Sequence, residues 1–129
     1  MVLCNNVFEH LESPRRVLCT LAEALRPGGV AFLQTLCAQS LSVLFQTRGW
    51  IYYGRGHLQM PTLVSFEHYF EKAGLVPIRF ETHGFRSSNT PRYKQTRQRR
   101  RRFDKLMSNI AGRLRRGHRA KVLLQKGEQ

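Results

Sequence analysis

The chain has 129 residues, 41% of them hydrophobic, and its 22 Lys and Arg outnumber 8 Asp and Glu for a formal net charge of +14. That length bounds it to one domain with a modest core, and no apolar run reaches the roughly 18 residues of a membrane span. No basic region precedes the apolar N-terminal residues, so neither anchor nor signal peptide is read there. The three cysteines, Cys4, Cys19 and Cys37, lack C-x-x-C spacing and fit a reduced, cytoplasmic protein.

Val2-Leu3-Cys4 is short enough for a buried parallel strand, and Asn5-Asn6 would end it. Ser13-Pro14 starts a helix, a hydroxyl to cap free N–H groups followed by a ring with helical φ. Val17, Leu18, Leu21 and Leu25 recur at helical spacing, Pro27-Gly28-Gly29 stops them, and Val30–Leu33 is the next strand. Strand, crossover helix and strand predict a βαβ unit with parallel strands.

Residues 35–56 are mixed in character, with a short helix predicted around Ser40–Thr47. Trp50, Tyr52 and Tyr53 crowd together there, either as a substrate-pocket wall or, as aromatic residues more often do, as a cover for the core. Ser65 is a second N-cap candidate, ahead of Phe66, Tyr69, Phe70 and Ala73, and Gly74 ends that helix. Leu75–Thr82 reads as a strand whose Pro77 places it at a sheet edge. His83–Pro91 is turn-rich. After the basic run, Phe103, Leu106, Met107, Ile110 and Leu114 keep helical spacing and predict an amphipathic helix ended by Gly117. Ala120–Leu124 is the last strand, and Gly127–Gln129 should fray.

The wording of these segments goes further than their pattern. Asn-Val-Phe-Glu-His-Leu at 6–11, a proline three residues on, and Leu-Arg-Pro-Gly-Gly at 25–29 before a strand resemble the second half of a class I S-adenosylmethionine (SAM) dependent methyltransferase. The likeness is to the small-molecule and ubiquinone-biosynthesis type, and it continues through Gly56-His57-Leu58, Ser65-Phe66, Ala73-Gly74-Leu75 and Gly117-His118. It implies an α/β fold, the C-terminal half of a Rossmann-like sheet in the order fourth, fifth, seventh, sixth, with the last pairing antiparallel. The implied segments are 1–35 as strand-helix-strand, 36–61 as a substrate-side insertion, 62–91 as helix and strand, and 92–129 as basic helix and final strand.

The resemblance also implies roles. SAM would be the cofactor, with Cys4, Asn5 and Asn6 forming the wall near its methionine part and reacting methyl, and a small-molecule O, N or C acceptor would receive the methyl group. The family's glycine-rich loop and ribose-holding acid have no counterpart before Asn5-Asn6. Gly54-Arg55-Gly56 has the spelling of part of such a loop but follows the wrong strand. His57, in the insertion, is a catalytic candidate because a neutral imidazole can take the acceptor's proton; a solvent-exposed loop histidine is the rival reading. His10 is a second candidate. Glu9 and His10 are also weak metal-ligand candidates by likeness to a Glu-x-x-Glu-His arrangement of some relatives, whose first carboxylate falls on Asn6 here. His68, His83 and His118 carry no predicted role.

The charge belongs to one segment. Arg92 to Lys126 holds 14 Lys and Arg against a single acid, Asp104, whereas Met1–Pro91 holds 8 basic and 6 acidic residues. Such asymmetry suggests an anionic partner, nucleic acid or a membrane surface. Arg97–Arg102 is the candidate for nonspecific anion or nucleic-acid contact, and a catalytically inactive chain acting as a basic binding module is the alternative to an enzyme. The first strand would leave an open edge able to recruit a partner chain.

Overall fold

In a computed structural model, residues 1–50, 52–54, 56–87 and 97–127 are described. In chain order the elements are β1 (Val2–Asn5), α1 (Pro14–Ala24), β2 (Val30–Leu36), α2 (Leu41–Gln46), α3 (Leu63–Lys72), β3 (Leu75–His83), α4 (Arg97–Arg113) and β4 (Arg119–Lys126). The expectations for residues 88–96, Ile51, Arg55, Glu128 and Gln129, and for the side chains of Arg97, Gln98 and Arg99, lie outside the described residues.

The four strands form one sheet in the order β1-β2-β4-β3, a mixed α/β architecture. β1 runs parallel to β2, with Leu3 opposite Phe32, and the helix between them makes the predicted βαβ unit. β4 enters between β2 and β3 and is antiparallel to both. Pro77 lies, as predicted, on an edge strand, where a missing N–H costs little, and the β3 register shifts between Pro77 and Arg79.

Side chains alternate across β4, so Ala120, Val122 and Leu124 all point to one face and are fully buried. Leu18 and Ala22 of α1 and Phe66 and Phe70 of α3 close over that face together with Ala31 and Leu33 of β2. Phe8, at the end of the loop after β1, fits between them, its ring 6.0 Å from Phe66 and 5.8 Å from Tyr69. Burying each such phenylalanine contributes about 2 kcal/mol. The opposite face carries Phe32, Arg79, Glu81, Lys121 and Leu123 around an open hollow.

Several local expectations change. β1 is not a buried strand: Leu3 is 66% exposed and Val2 and Cys4 are half-buried, because α1 and α3 cover only one face of the sheet. Ser13 occupies the N-cap position of α1, with Pro14 at the first turn, but its hydroxyl makes no cap hydrogen bond. Ser65 does not cap α3. Thr62 does, accepting from Ser65 N at 3.2 Å, while the Ser65 hydroxyl accepts from Thr62 N at 2.7 Å, a reciprocal pair that starts the helix one turn earlier than the apolar pattern indicates. Gly74 (φ +67°) follows α3 as predicted. Gly127 does not fray, since its N–H donates to Gly74 O at 3.3 Å.

The largest departure is α4. Of its predicted apolar face, Phe103, Leu106, Ile110 and Leu114 are exposed and only Met107 lies partly against the body, beside buried Ala111. The helix docks instead by its polar flank: Ser108 Oγ accepts from Phe85 N at 2.8 Å and Asp104 Oδ1 from Ser87 N at 3.2 Å. Those bonds satisfy main-chain groups of the segment leaving β3, which fixes the rotation of the helix.

Candidate functional site

The site is built at the carboxyl ends of the two parallel strands, the place where open α/β sheets bind ligands. As β1 ends, Asn6 turns with φ 52°, a conformation asparagine tolerates, and its N–H continues the ladder to Gln34 O at 2.8 Å. Gln34 Nε2 donates to Asn5 Oδ1 at 2.8 Å and to Asn6 Oδ1 at 3.5 Å, so β2 holds both exposed asparagines in place. Cys4 lies one residue before them. Burial, with the Glu9 carboxyl nearby, pushes its thiol up, which makes it a neutral contact surface and not a nucleophile.

The loop then turns through a short 3-10 helix over Phe8–His10 that sends neighbouring residues opposite ways, Phe8 and Glu9 into the protein and His10 outward. Glu9 is 3% exposed, and its Oε2 accepts a 2.7 Å hydrogen bond from the hydroxyl of fully buried Thr35. Its main-chain oxygen accepts from Leu58 N at 2.8 Å and Gln59 N at 3.0 Å, which ties the insertion to this loop. That tie brings His57 onto His10, with ring centroids 4.8 Å apart.

Both imidazoles have a settled orientation. His10 Nδ1 lies 2.9 Å from Gly56 O and His57 Nδ1 lies 2.7 Å from Tyr52 O. A carbonyl only accepts, so each Nδ1 carries the proton and, in the neutral ring, each Nε2 keeps a bare lone pair. Glu9, His10 and His57 each offer one ligand atom, and these lie within 4.8 Å of one another. Chemically, the trio can accept a proton from a bound molecule or hold a divalent ion through two nitrogens and one oxygen.

The aromatic cluster supports this arrangement from behind. Trp50 is 2% exposed and packs edge-on to Tyr52 and Tyr53, each at 5.3 Å, which makes Trp50 a core cover. Tyr52 lies edge-on to His57 at 5.8 Å and stacks on His118 at 5.9 Å, and its hydroxyl accepts from Arg86 at 3.1 Å. His118, without a predicted role, is thus the floor under the residue that orients His57. Its desolvation lowers its pKa to about 4, so the floor is uncharged near neutrality. Thr35, Gln34 and His118 escaped the sequence reading because each acts on a side chain from a segment distant in sequence; Glu9 next to His10 was the one local signal. Gly56 lends its carbonyl to His10.

A mixed sheet in this order, with helices packed on it and polar groups gathered at the ends of its parallel strands, is a Rossmann-like α/β fold. Residues 1–79 match the family described as a methyltransferase domain, and the chain belongs to that family. Among solved structures it is similar to a SAM dependent methyltransferase from Archaeoglobus fulgidus, with a TM-score of 0.60 at 13% identity over 97% of this chain and 58% of that one. It is also similar to the [4+2]-cyclase SpnF, with a TM-score of 0.54 at 11% identity over 98% of this chain and 49% of that one. This chain therefore spans about half to three-fifths of those two proteins, and at such identities the likeness is one of fold. No curated protein matches by sequence.

Proposed function

We propose that the protein takes part in SAM-dependent methyl transfer to an oxygen, nitrogen or carbon of a small molecule in the cytoplasm, with segments 1–35, 36–61, 62–91 and 92–129 forming part of one methyltransferase domain. The observation that carries this reading is the convergence of His57, from the insertion, on His10 at the strand ends. SAM supplies an electrophilic methyl group. The exposed amides of Asn5 and Asn6, steadied by Gln34, and the neutral Cys4 thiol fit the polar methionine part of that cofactor and would hold it. His57 then takes the proton that the acceptor loses as its new bond to carbon forms, through the Nε2 lone pair that the Tyr52 carbonyl leaves free. His10, tilted alongside, fixes the ring and is a second proton acceptor.

A cyclase sharing the fold means that fold alone does not choose the reaction. The test is calorimetric titration of the protein with SAM, followed by an assay for S-adenosylhomocysteine release across small O, N and C nucleophiles. Saturable binding with His57-dependent turnover supports the reading. Neither one overturns it in favour of a non-catalytic basic module, for which the positive charge gathered on α4 speaks.

A further inference from the structure

We infer that the face formed by α4 and α2 docks on an anionic lipid surface. Leu106 and Ile110 of α4, and Leu114 one residue past its end, lie 58%, 38% and 60% exposed in a row at the i, i+4, i+8 spacing of one helix face, with Leu114 N still donating to Ile110 O. Phe103 extends the row at its start. Its ring meets the edge of Phe85 at 5.8 Å, and Phe85, itself buried, meets Phe45 of α2 at 6.0 Å, so ring contacts link the row to exposed Phe45 and Leu44. A hydrophobic surface of this extent on a chain so rich in charge marks an interaction site.

The rim chooses the occupant. At helical spacing Arg102 and Arg113 border the stripe, exposed Arg101 and Lys105 lie farther round the helix, and exposed Arg115 and Arg116 follow at its end. The acid of this segment, Asp104, faces inward to Ser87 N and lies 3.9 Å from Arg100. The outer side of the helix thus presents aliphatic side chains beside cations, with no exposed acid among the described residues of α4. An amphipathic helix of this kind lies in the headgroup region of a bilayer, its apolar stripe against the acyl boundary and its cations at lipid phosphates. Single-stranded nucleic acid would use the cations with Phe103 and Phe45, but leucine and isoleucine offer no flat face for nucleobases, so Leu106, Ile110 and Leu114 would stay idle. A second copy would pair stripe with stripe and set Arg102 and Arg113 against their own counterparts, a like-charge contact. None of the described helices is long and apolar enough to cross a membrane, so the contact is peripheral.

The experiment is flotation of the full chain with phosphatidylcholine vesicles, with and without phosphatidylserine, at increasing salt. Two paired variants accompany it: Leu106→Ser with Leu114→Ser, and Arg102→Gln with Arg113→Gln. All four residues are exposed, and thermal unfolding verifies that the variants stay folded. The expected result is binding that requires phosphatidylserine, falls about tenfold or more in the leucine pair and falls about fivefold per arginine in the other. Retention on homopolymeric RNA should be unchanged by the leucine pair. Equal vesicle binding by the leucine pair overturns the proposal, as does RNA binding with no vesicle binding, or a doubled mass in solution that the leucine pair abolishes.

Discussion

The imidazoles of His10 and His57 lie tilted against each other with centroids 4.8 Å apart, each with its Nδ1 held by a main-chain carbonyl. Two loops far apart in sequence thereby present two ring nitrogens to the same space.

If His57 receives the acceptor's proton, His57→Ala lowers kcat by about a hundredfold or more with little change in KM, because binding is left to other residues. His57→Gln should not rescue it, since an amide takes no proton near neutrality. Steady-state kinetics on the wild type and both variants decide this, and an unchanged kcat removes His57 from the chemistry.

The same lone pairs invite transition ions. Zn²⁺ added to the protein is expected to bind Glu9, His10 and His57, to block methyl transfer by occupying the proton-accepting nitrogens, and to be reversed by a chelator. His10→Ala should weaken this inhibition more than tenfold, as judged by inhibition curves.

Thr35 is fully buried and donates to Glu9 at 2.7 Å. Thr35→Val keeps the shape and strands a buried carboxyl oxygen, at a cost of about 1–3 kcal/mol. Denaturant unfolding measures this directly. Loss of the bond should also loosen the Glu9 main-chain tie to Leu58 and Gln59, and reduce activity.

Burial lowers the His118 pKa from 6.5 to about 4. An unfolded chain then binds a proton that the folded one refuses between those values. Stability is at its full value above about pH 6.5 and is lost as pH falls through about 4, an effect of order 3 kcal/mol. His83, also shifted down by burial, acts in the same direction. Urea unfolding across this range should show the slope, and His118→Phe, which removes the titrating group while keeping a ring against Tyr52, should flatten it.

At Gly117 the chain turns into β4 so close to β3 that an added Cβ would lie 2.2 Å from His83 N and 2.5 Å from its Cα. Backbone cannot yield as a side chain does. Gly117→Ala is therefore expected to destabilise by about 3 kcal/mol or more, visible as a thermal midpoint drop of roughly ten degrees or more.

Much of the fold was legible because it rests on local patterns. The βαβ unit follows from Ser13-Pro14, the Leu18 to Leu25 spacing and Pro27-Gly28-Gly29, and the edge position of β3 follows from Pro77. Local patterns failed where a neighbour in space had the deciding contact. The Thr62–Ser65 pair moved the start of α3, and Ser108 and Asp104 turned α4 toward main-chain N–H groups and left its apolar row in solvent.

By itself the sequence determined the class of sheet, the family wording around Glu9-His10 and the gathering of positive charge in one segment, because periodicity, turn residues and charge act over a few residues along the chain. Only the tertiary structure decided that His57 meets His10, that Thr35 holds Glu9 and that Tyr52 rests on His118. Those contacts depend on strand register and loop closure between distant segments, and no local spacing encodes them.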